Sequence, residues 1–236
     1  MHVAIAGAHG KVARLLTRLL TERGDEVTGL VRDPAHVADV GGDGARAVVL
    51  DLESADAVEV AGALRGADAV VFAAGAGPGS GAARKDTVDR AAAVLLADAA
   101  EAAGVRDYLL ISSYGVDAVR DGAAPPELDE VFVAYLRAKL AAEQELLARA
   151  AAGRLHVTVL RPGGLTDEAP AGRVHLDASV ERGSVPRADV AAVCRELLDV
   201  AATVPLGGRV LELVGGAEPV ELAVARLAAH DGGATG

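Results

Sequence analysis

Apolar positions along this chain fall into two alternating patterns, short unbroken runs and longer segments with helical spacing. The unbroken runs are typical of buried strands and lie at 3–6, 26–31, 47–50, 69–73, 108–112, 156–160 and 210–214. Segments with apolar residues three or four positions apart lie at 11–23, 54–64, 86–103, 128–152, 187–201 and 220–229. This alternation predicts an α/β domain whose mostly parallel, doubly wound sheet of about seven strands has helices on both faces.

The pattern continues along the chain without a long linker, which predicts a single domain over residues 1–236. Residues 164–186 depart from the pattern, and we expect them to form a small insert beside the binding crevice, with a short strand at 174–176. The glycine-rich run at 75–81 predicts a flexible flap or a mobile loop, and the tail at 231–236 is expected to be disordered. Ser54 is expected to cap the helix at 54–64.

One stretch near the amino terminus reads as strand, tight turn and helix start, with Gly7 and Gly10 in the turn. Gly7 permits the turn, and Gly10 has no Cβ to keep a pyrophosphate from the backbone. The unpaired N–H groups of the helix start attract such an anion. A glycine turn that only joins a strand to a helix is the alternative. The motif predicts a Rossmann-like dinucleotide site in contact with Gly7, His9, Gly10, Lys11 and Val12.

Further candidate cofactor contacts follow the carboxyl ends of the other strands. Arg32 follows the second strand, where an arginine pairs with a 2′-phosphate and favours NADP(H) over NAD(H), although Asp33 lies beside it. Asp51 and Leu52 end the third strand, where they would hold an adenine or, for Asp51, cap a helix. The remaining predicted cofactor contacts are Ala73, Ala74, Gly75, Ser112, Lys139, Pro162 and Gly163.

Tyr135 and Lys139 are four residues apart and therefore share one face of the helix before the sixth strand. An ammonium group beside a phenol favours its ionised form, and such a tyrosine can exchange a proton with a carbonyl oxygen. Ser113 ends the fifth strand and would orient that carbonyl. The pair occurs by chance in many helices, but here it follows a strand that ends in serines. We therefore expect Ser113, Tyr135 and Lys139 to be catalytic.

Composition argues against several classes of binding partner and of bound group. The net charge of −11 argues against nucleic acid, because the chain has no basic stripe to neutralise phosphates. Cys194 is the only cysteine, and the histidines lack ligand spacing, so neither a disulfide framework nor a metal site is expected. No apolar segment is long enough to span a bilayer, and the first strand follows Met1 almost directly. We expect a cytoplasmic protein with a small-molecule substrate; monomer and homodimer remain open.

Several motifs together resemble the atypical branch of the short-chain dehydrogenase/reductase superfamily, which includes NmrA-like and flavin-reductase-like NAD(P)H-binding proteins and relatives of the NAD-dependent epimerases and dehydratases. The matching segments are residues 7–14, 86–89, 111–115, 161–168, 185–191 and 211–216. His9 and Ala13 depart from the Thr or Ser and the Gly that the family more often has there. The resemblance implies bound NADP(H) or NAD(H) and a Ser-Tyr-Lys site, with the serine one residue later in some members, where this chain has Tyr114.

Three functions follow from these residues and from the resemblance. The first is an NADP(H)-dependent oxidoreductase that transfers a hydride to or from a small carbonyl- or quinone-like substrate. The second is a non-catalytic NADP(H)-binding regulator that senses redox state, as NmrA-like proteins do. The third is an NAD-dependent sugar-nucleotide epimerase or dehydratase, which the short chain after the sixth strand disfavours. Tyr135 favours the first.

Overall fold

The computed structural model describes residues 1–75, 77, 82–204 and 207–231. Most of the glycine-rich run at 75–81 and most of the tail at 231–236 lie outside these residues. The predictions of a flap and of a disordered tail concern those segments and stay predictions.

Strands and helices alternate along most of the chain. The strands are β1 His2–Ala6, β2 Glu26–Val31, β3 Arg46–Val49, β4 Ala69–Phe72, β5 Asp107–Ile111, β6 His156–Pro162, β7 Gly164–Thr166, β8 Arg173–Asp177, β9 Ser184–Pro186, β10 Arg209–Gly215 and β11 Glu218–Pro219. The α-helices are α1 Lys11–Glu22, α2 Val37–Gly42, α3 Ala57–Ala63, α4 Ala82–Lys85, α5 Ala92–Ala103, α6 Glu130–Ala151, α7 Arg187–Ala201 and α8 Val220–Asp231. Short 3₁₀ segments cover Pro34–His36 and Val116–Gly122, and a π-helical turn covers Asp86–Ala91.

Within the described part of the chain, nine strands form the main sheet in the order β11-β8-β10-β6-β5-β4-β1-β2-β3. From β10 to β3 in that order, neighbouring strands pair in parallel. Strand β8 pairs antiparallel with both β10 and β11. The predicted doubly wound, mostly parallel sheet is confirmed, and the antiparallel edge adds strands beyond the expected seven or so. The chain changes direction across the sheet between β1 and β4, and ligands bind beyond the strand carboxyl ends at such a point.

Each face of the sheet carries its own buried layer, because successive residues of a strand point to opposite sides. In β1, Val3 and Ile5 belong to the layer under α1, α7 and α8. Ala4 and Ala6 belong to the layer under α3, α5 and α6. Burial on both faces explains why the strands read as unbroken apolar runs.

Two helices differ in detail from the sequence-based prediction. Helix α3 begins at Ala57, and its cap is Asp56, whose carboxylate accepts hydrogen bonds from the N–H groups of Val58 and Glu59. The prediction of Ser54 as the cap is wrong, because its hydroxyl donates to the carbonyl of Asp51 instead. The predicted helix at 86–103 is a π-helical turn followed by α5, which hydrophobic spacing alone does not distinguish from one α-helix.

Residues 164–186 are divided between two sheets. The predicted short strand at 174–176 is present as β8 and joins the edge of the main sheet. Strands β7 and β9 pair in parallel with each other and form a separate small sheet. Among the described residues, no helix combines the length and the apolar character needed to cross a membrane.

Candidate functional site

Two clefts open beyond the carboxyl ends of the parallel strands. The first cleft, of about 340 Å³, is bounded by the turn after β1 and by the residues that follow β2, β3 and β4. The second cleft, of about 1010 Å³, is bounded by the residues that follow β5 and β6, by α6 and by the turn between β8 and β9. These are the positions at which a doubly wound sheet binds ligands.

At the first position of the turn after β1, no residue larger than glycine fits. Gly7 has a φ of +77°, and a Cβ built on it would lie 2.6 Å from the Cα of Ala74. The N–H of Gly10 donates to the carbonyl of Gly7 at 2.9 Å, which closes the turn. Helix α1 then begins without a capping side chain and without an acidic residue in its first turn. This helix start suits an anion.

The first cleft brings together nine of the residues that the sequence analysis assigned to the cofactor. They are Gly7, His9, Gly10, Arg32, Asp51, Leu52, Ala73, Ala74 and Gly75. Lys11 does not line either cleft, and its Nζ donates to Asp167 Oδ2 at 2.6 Å. Val12, Ser112, Pro162 and Gly163 line the second cleft instead.

Arg32 shares a carboxylate with a second arginine that the sequence analysis missed. Nη1 of Arg32 lies 3.2 Å from Glu53 Oε2, and Nη2 of Arg84 lies 2.8 Å from the same oxygen. The hydroxyl of Thr87 donates to the other carboxylate oxygen of Glu53 at 2.7 Å. The neighbouring carboxylate of Asp33 is already hydrogen-bonded, because it accepts the N–H of Ala35. Two guanidinium groups therefore meet one carboxylate at this edge of the first cleft.

Two histidines stack at the same cleft. The rings of His9 and His36 are parallel, with 3.6 Å between their centroids. Nε2 of His9 lies 2.9 Å from Asp39 Oδ2. This contact, with the charge of Arg14 nearby, holds the pKa of the Asp39 carboxyl below its ordinary value. The side chain of His9 thus ties the turn after β1 to the segment at Pro34–His36 and to α2.

Lys139 lies under the boundary between the two clefts. Its Nζ is buried and donates to the carbonyl of Ile111 at 3.1 Å and to that of Ala74 at 3.4 Å. The same ammonium lies 3.3 Å from Oδ1 of the fully buried Asp89, on the π-helical turn. Lys139 therefore ties the ends of β4 and β5 together at the floor of the site.

Tyr135 lines the second cleft, and two ammonium groups lie near its ring. Nζ of Lys139 lies 6.0 Å from the ring centroid, and Nζ of Lys85 lies 5.3 Å from it. Lys85 is itself held by the carbonyl of Gly77, to which its Nζ donates at 2.8 Å. No pattern along the sequence points to Lys85, because only the fold brings α4 beside α6.

The two serines after β5 differ in what their hydroxyls do. Ser112 donates to Glu143 Oε1 at 2.5 Å and is buried. Ser113 is half-buried, and its hydroxyl donates to the carbonyl of Tyr114 at 3.2 Å, its one contact among the residues that the structure describes. Both residues line the second cleft. Ser113 thus has the hydroxyl with more freedom to bind a ligand.

Behind these serines lies an ionic network that the sequence analysis missed, in which Arg161 and Glu143 are buried and Asp117 is half exposed. Nη2 of Arg161 donates to Glu143 Oε2 at 2.5 Å, and its Nη1 donates to Asp117 Oδ2 at 2.7 Å. Burial opposes the charge of Arg161, but hydrogen bonds from the guanidinium to Glu143 and Asp117 outweigh it and raise the pKa of Arg161. The network joins α6, β6 and the turn after β5, and Glu143 follows Lys139 at helical spacing, a signal present in the sequence.

The residues of the two clefts fit a dinucleotide. Gly7 and Gly10, which bound the turn after β1, carry no Cβ, and the uncapped start of α1 follows this cradle. The residues after β4 carry little side-chain bulk, so an extended ligand can lie across Ala73 to Gly75, from one cleft to the other. Among the described residues, no cluster of three or more His, Cys, Asp or Glu side chains is arranged to hold a metal ion.

Comparison with known families gives a match to the NAD(P)H-binding family over residues 7–200, most of the chain. The chain belongs to the NAD(P)H-binding family. The family match begins at Gly7, in the turn that forms the cradle.

Individual relatives and solved structures extend the comparison. The uncharacterized sugar epimerase YhfK of Bacillus subtilis is 30% identical over 96% of this chain and 100% of its own length. A provisionally assigned NAD-dependent epimerase/dehydratase from Bacillus halodurans is 32% identical, with a TM-score of 0.83 over 96% of this chain and 99% of its own. ChuY of Escherichia coli, described as an anaerobillin reductase, is 28% identical, with a TM-score of 0.73 over 91% and 97%. The resemblance to atypical short-chain dehydrogenases/reductases is confirmed.

Proposed function

We propose that this protein is an NADP(H)-dependent oxidoreductase that transfers a hydride to or from a small carbonyl- or quinone-like substrate. The observation that carries the proposal is the position of Tyr135 on the second cleft, with the ammonium groups of Lys139 and Lys85 within 6.0 Å of its ring centroid. Lys139 lies between this cleft and the one that carries the glycine cradle. We therefore assign Tyr135 as the proton donor of the second cleft, beside the lysine that separates this cleft from the first.

When bound, the reduced nicotinamide supplies the hydride. Tyr135 donates a proton to the substrate oxygen as that oxygen gains charge, so that a carbonyl becomes an alcohol. The nearby ammonium groups stabilise the phenolate that remains. Ser113 donates a hydrogen bond to the same oxygen and keeps it in line with Tyr135. Ser112 acts as a support, because its hydroxyl is held by Glu143.

The preference for NADP(H) is supported by Arg32 and Arg84 at the edge of the first cleft. Both guanidinium groups contact Glu53, and a 2′-phosphate would offer them a second acceptor. Glu53 then competes with the phosphate.

We expect Arg32→Ala to weaken NADPH binding at least about tenfold while changing NADH binding little, and Glu53→Gln to strengthen NADPH binding several-fold. Glu59→Gln, an exposed change on α3, is the control.

The test of the activity combines binding and turnover. Calorimetric titration with NADPH, NADP⁺, NADH and NAD⁺ comes first, followed by a screen of quinones and small carbonyl compounds. Tyr135→Phe should lower kcat by at least about 100-fold and leave cofactor affinity unchanged. Tyr114→Phe removes a hydroxyl from the same cleft and should change kcat less than about threefold.

The outcomes separate the candidate functions. Failure of all four nucleotides to bind would remove the proposal at its base. Tight binding with no turnover, and with different affinities for the oxidised and reduced forms, would support the redox-sensing regulator instead. Turnover that survives Tyr135→Phe unchanged would exclude the role given to that residue.

The descriptions of YhfK and of the Bacillus halodurans protein favour a second candidate, an epimerase or dehydratase of a nucleotide sugar. Such an enzyme retains its nicotinamide and returns the hydride to the same substrate. Incubation with uridine and thymidine diphosphate sugars would then give an isomer or a dehydrated sugar without net change in NADPH absorbance. Stoichiometric oxidation of NADPH by a quinone, with no reaction of these sugars, supports the first candidate.

A further inference from the structure

The second cleft is built from two kinds of side chain. Helix α6 and the segment before it supply the apolar residues Leu128, Phe132 and Leu136. The segment between β7 and α7 supplies Arg182, and the first residue of α7 supplies Arg187. A ligand that satisfies both surfaces needs an apolar body and a negatively charged group.

The apolar part of the cleft is open to solvent. Phe132 is 41% exposed and Leu165 is 40% exposed, and both line the cleft. Phe132 also contacts the ring of Tyr135, with 5.7 Å between the ring centroids. Large apolar side chains grouped at a concave surface mark a ligand site, and an aromatic pair favours a flat ring system.

The arginines differ in how their charges are balanced. Arg187 donates to Asp167 Oδ1 at 2.7 Å, and Lys11 uses the other oxygen of that carboxylate. Arg182 is exposed and has no hydrogen bond or ion pair to any residue that the structure describes. Glu127 is the one carboxylate among the described residues that line the cleft. In a chain of net charge −11, two guanidinium groups here are a local excess of positive charge.

The backbone that carries Arg182 is held in place. The carbonyl of Gly183 accepts the N–H of Gly164 at 2.9 Å, and a Cβ at Gly163 would lie 2.4 Å from that carbonyl oxygen. β9 then pairs with β7 directly after this turn. Arg182 therefore extends from a fixed turn beside the predicted cofactor contacts after β6. A fixed base lowers the entropy cost of binding through a long side chain.

We propose that the substrate of this cleft is a flat, largely apolar ring system that carries a carboxylate or an equivalent acidic group, and that Arg182 binds that group. The planar guanidinium offers paired N–H donors that match the two oxygens of a carboxylate. Arg187 adds positive charge from the start of α7. The inference rests on the proposed function, because it names the substrate class of the same cleft.

The test uses binding of a matched pair of probes to the full chain. Calorimetry compares 9-anthracenecarboxylate with the uncharged 9-anthracenecarboxamide, without nucleotide and with NADP⁺. The unaltered protein should bind the carboxylate at least about tenfold more tightly than the amide. Arg182→Gln should reduce this ratio to less than about threefold and leave binding of the amide unchanged. Arg65→Gln, an exposed arginine that lines neither cleft, should leave the ratio unchanged.

Three results would overturn the proposal: equal affinity for the two probes, an unchanged ratio in Arg182→Gln, or no binding of either probe. Circular dichroism and thermal unfolding of Arg182→Gln establish that the variant is folded, as expected for an exposed side chain.

The readout is independent of turnover and so separates this inference from the proposed function. Preference for the carboxylate without any hydride transfer keeps the anion site and removes the oxidoreductase. Reduction of neutral quinones with no preference for the acid keeps the oxidoreductase and removes the anion site.

Discussion

At Gly7 the backbone and the neighbouring strand leave no space for a side chain. The residue has a φ of +77°, and an added Cβ would lie within 2.8 Å of three atoms of Ala74. Gly62, in contrast, lies on α3 with nothing within 4 Å of an added Cβ. Residue type does not distinguish the two glycines. Their surroundings in the fold decide whether each position can accept a side chain.

Gly7→Ala should lower the free energy of unfolding by about 2 kcal/mol or more, because it combines backbone strain with a steric clash. Nucleotide binding should fall with it, since the turn can no longer close against β4. Gly62→Ala should be neutral or stabilise by up to about 1 kcal/mol, because alanine favours a helix. Urea unfolding and calorimetry measure both effects. Equal stabilities of the two variants would contradict the prediction.

Among elements, α6 carries most of the proposed chemistry. Tyr135, Lys139 and Glu143 follow one another at four-residue intervals and share one face of the helix. Tyr135 reaches the cleft, Lys139 reaches the ends of β4 and β5, and Glu143 reaches Arg161 on β6. A single helix thus sets the positions of the proton donor and of its support. Sequence spacing indicates the shared face, whereas the partners depend on packing.

Glu143→Leu should lower the free energy of unfolding by about 3 kcal/mol, because it leaves the buried guanidinium of Arg161 without its main partner. Glu145→Leu changes an exposed glutamate of the same helix and should cost less than about 1 kcal/mol. The double variant Glu143→Leu/Arg161→Met should be more stable than Glu143→Leu alone. Denaturant unfolding of the unaltered protein, Glu143→Leu, Arg161→Met and the double variant gives the coupling; strict additivity would argue against a paired network.

The carboxylate of Asp43 connects α1 to the end of α2. Asp43 follows α2, and its oxygens accept hydrogen bonds from Arg14 at 2.5 Å and from Arg18 at 2.6 Å. Burial opposes ionisation, but these two guanidinium groups outweigh it and hold the pKa of Asp43 below its ordinary value. The contact therefore stabilises the fold only while Asp43 is ionised.

Asp43→Asn should lower the free energy of unfolding by about 1 to 3 kcal/mol at pH 7. A carboxyl whose pKa is lower in the folded state stabilises fully above its unfolded pKa of about 4, and this contribution disappears as the pH falls through the folded value. The difference between Asp43→Asn and the unaltered protein should therefore shrink below about pH 4. Unfolding curves from pH 7 to pH 3 measure it, with Glu22→Gln on α1 as the control. A difference independent of pH would refute the assignment.

In the molecule as a whole, the sheet separates two buried layers, and Cys194 lies inside one of them. The thiol is fully buried on α7, in the layer shared with α1 and α8. Burial raises the pKa of Cys194 to about 12. The thiolate is the reactive form of cysteine. The thiol of Cys194 is therefore protected from reagents both because it is inaccessible and because it stays protonated.

Cys194 should therefore report unfolding of the whole domain. The native protein should react with a thiol reagent at pH 8 many times more slowly than the urea-unfolded chain. A nucleotide that binds the folded state should slow the reaction further, in proportion to its concentration over its Kd. Rapid labelling of the native protein would show instead that α7 opens locally.

The order of apolar and polar residues by itself determined the architecture. Two periodicities and the positions of glycine predict alternating strands and helices, and burial on both faces of the sheet follows from the unbroken apolar strands. The turn at Gly7 and the shared helix face of Tyr135 and Lys139 are equally local, because each depends on residues a few positions apart. Local sterics and helical spacing are properties that a sequence expresses directly.

Only the tertiary structure decided the partners of the charged and polar groups at the site. The pairing of Lys139 with Asp89, of Arg32 and Arg84 with Glu53, and of Ser112 with Glu143 joins residues far apart in the chain. The cleft that Arg182 faces also forms only when distant loops meet at the strand ends. Hydrogen bonds and ion pairs require distances near 3 Å, and no pattern along the sequence specifies which groups the fold brings within that distance.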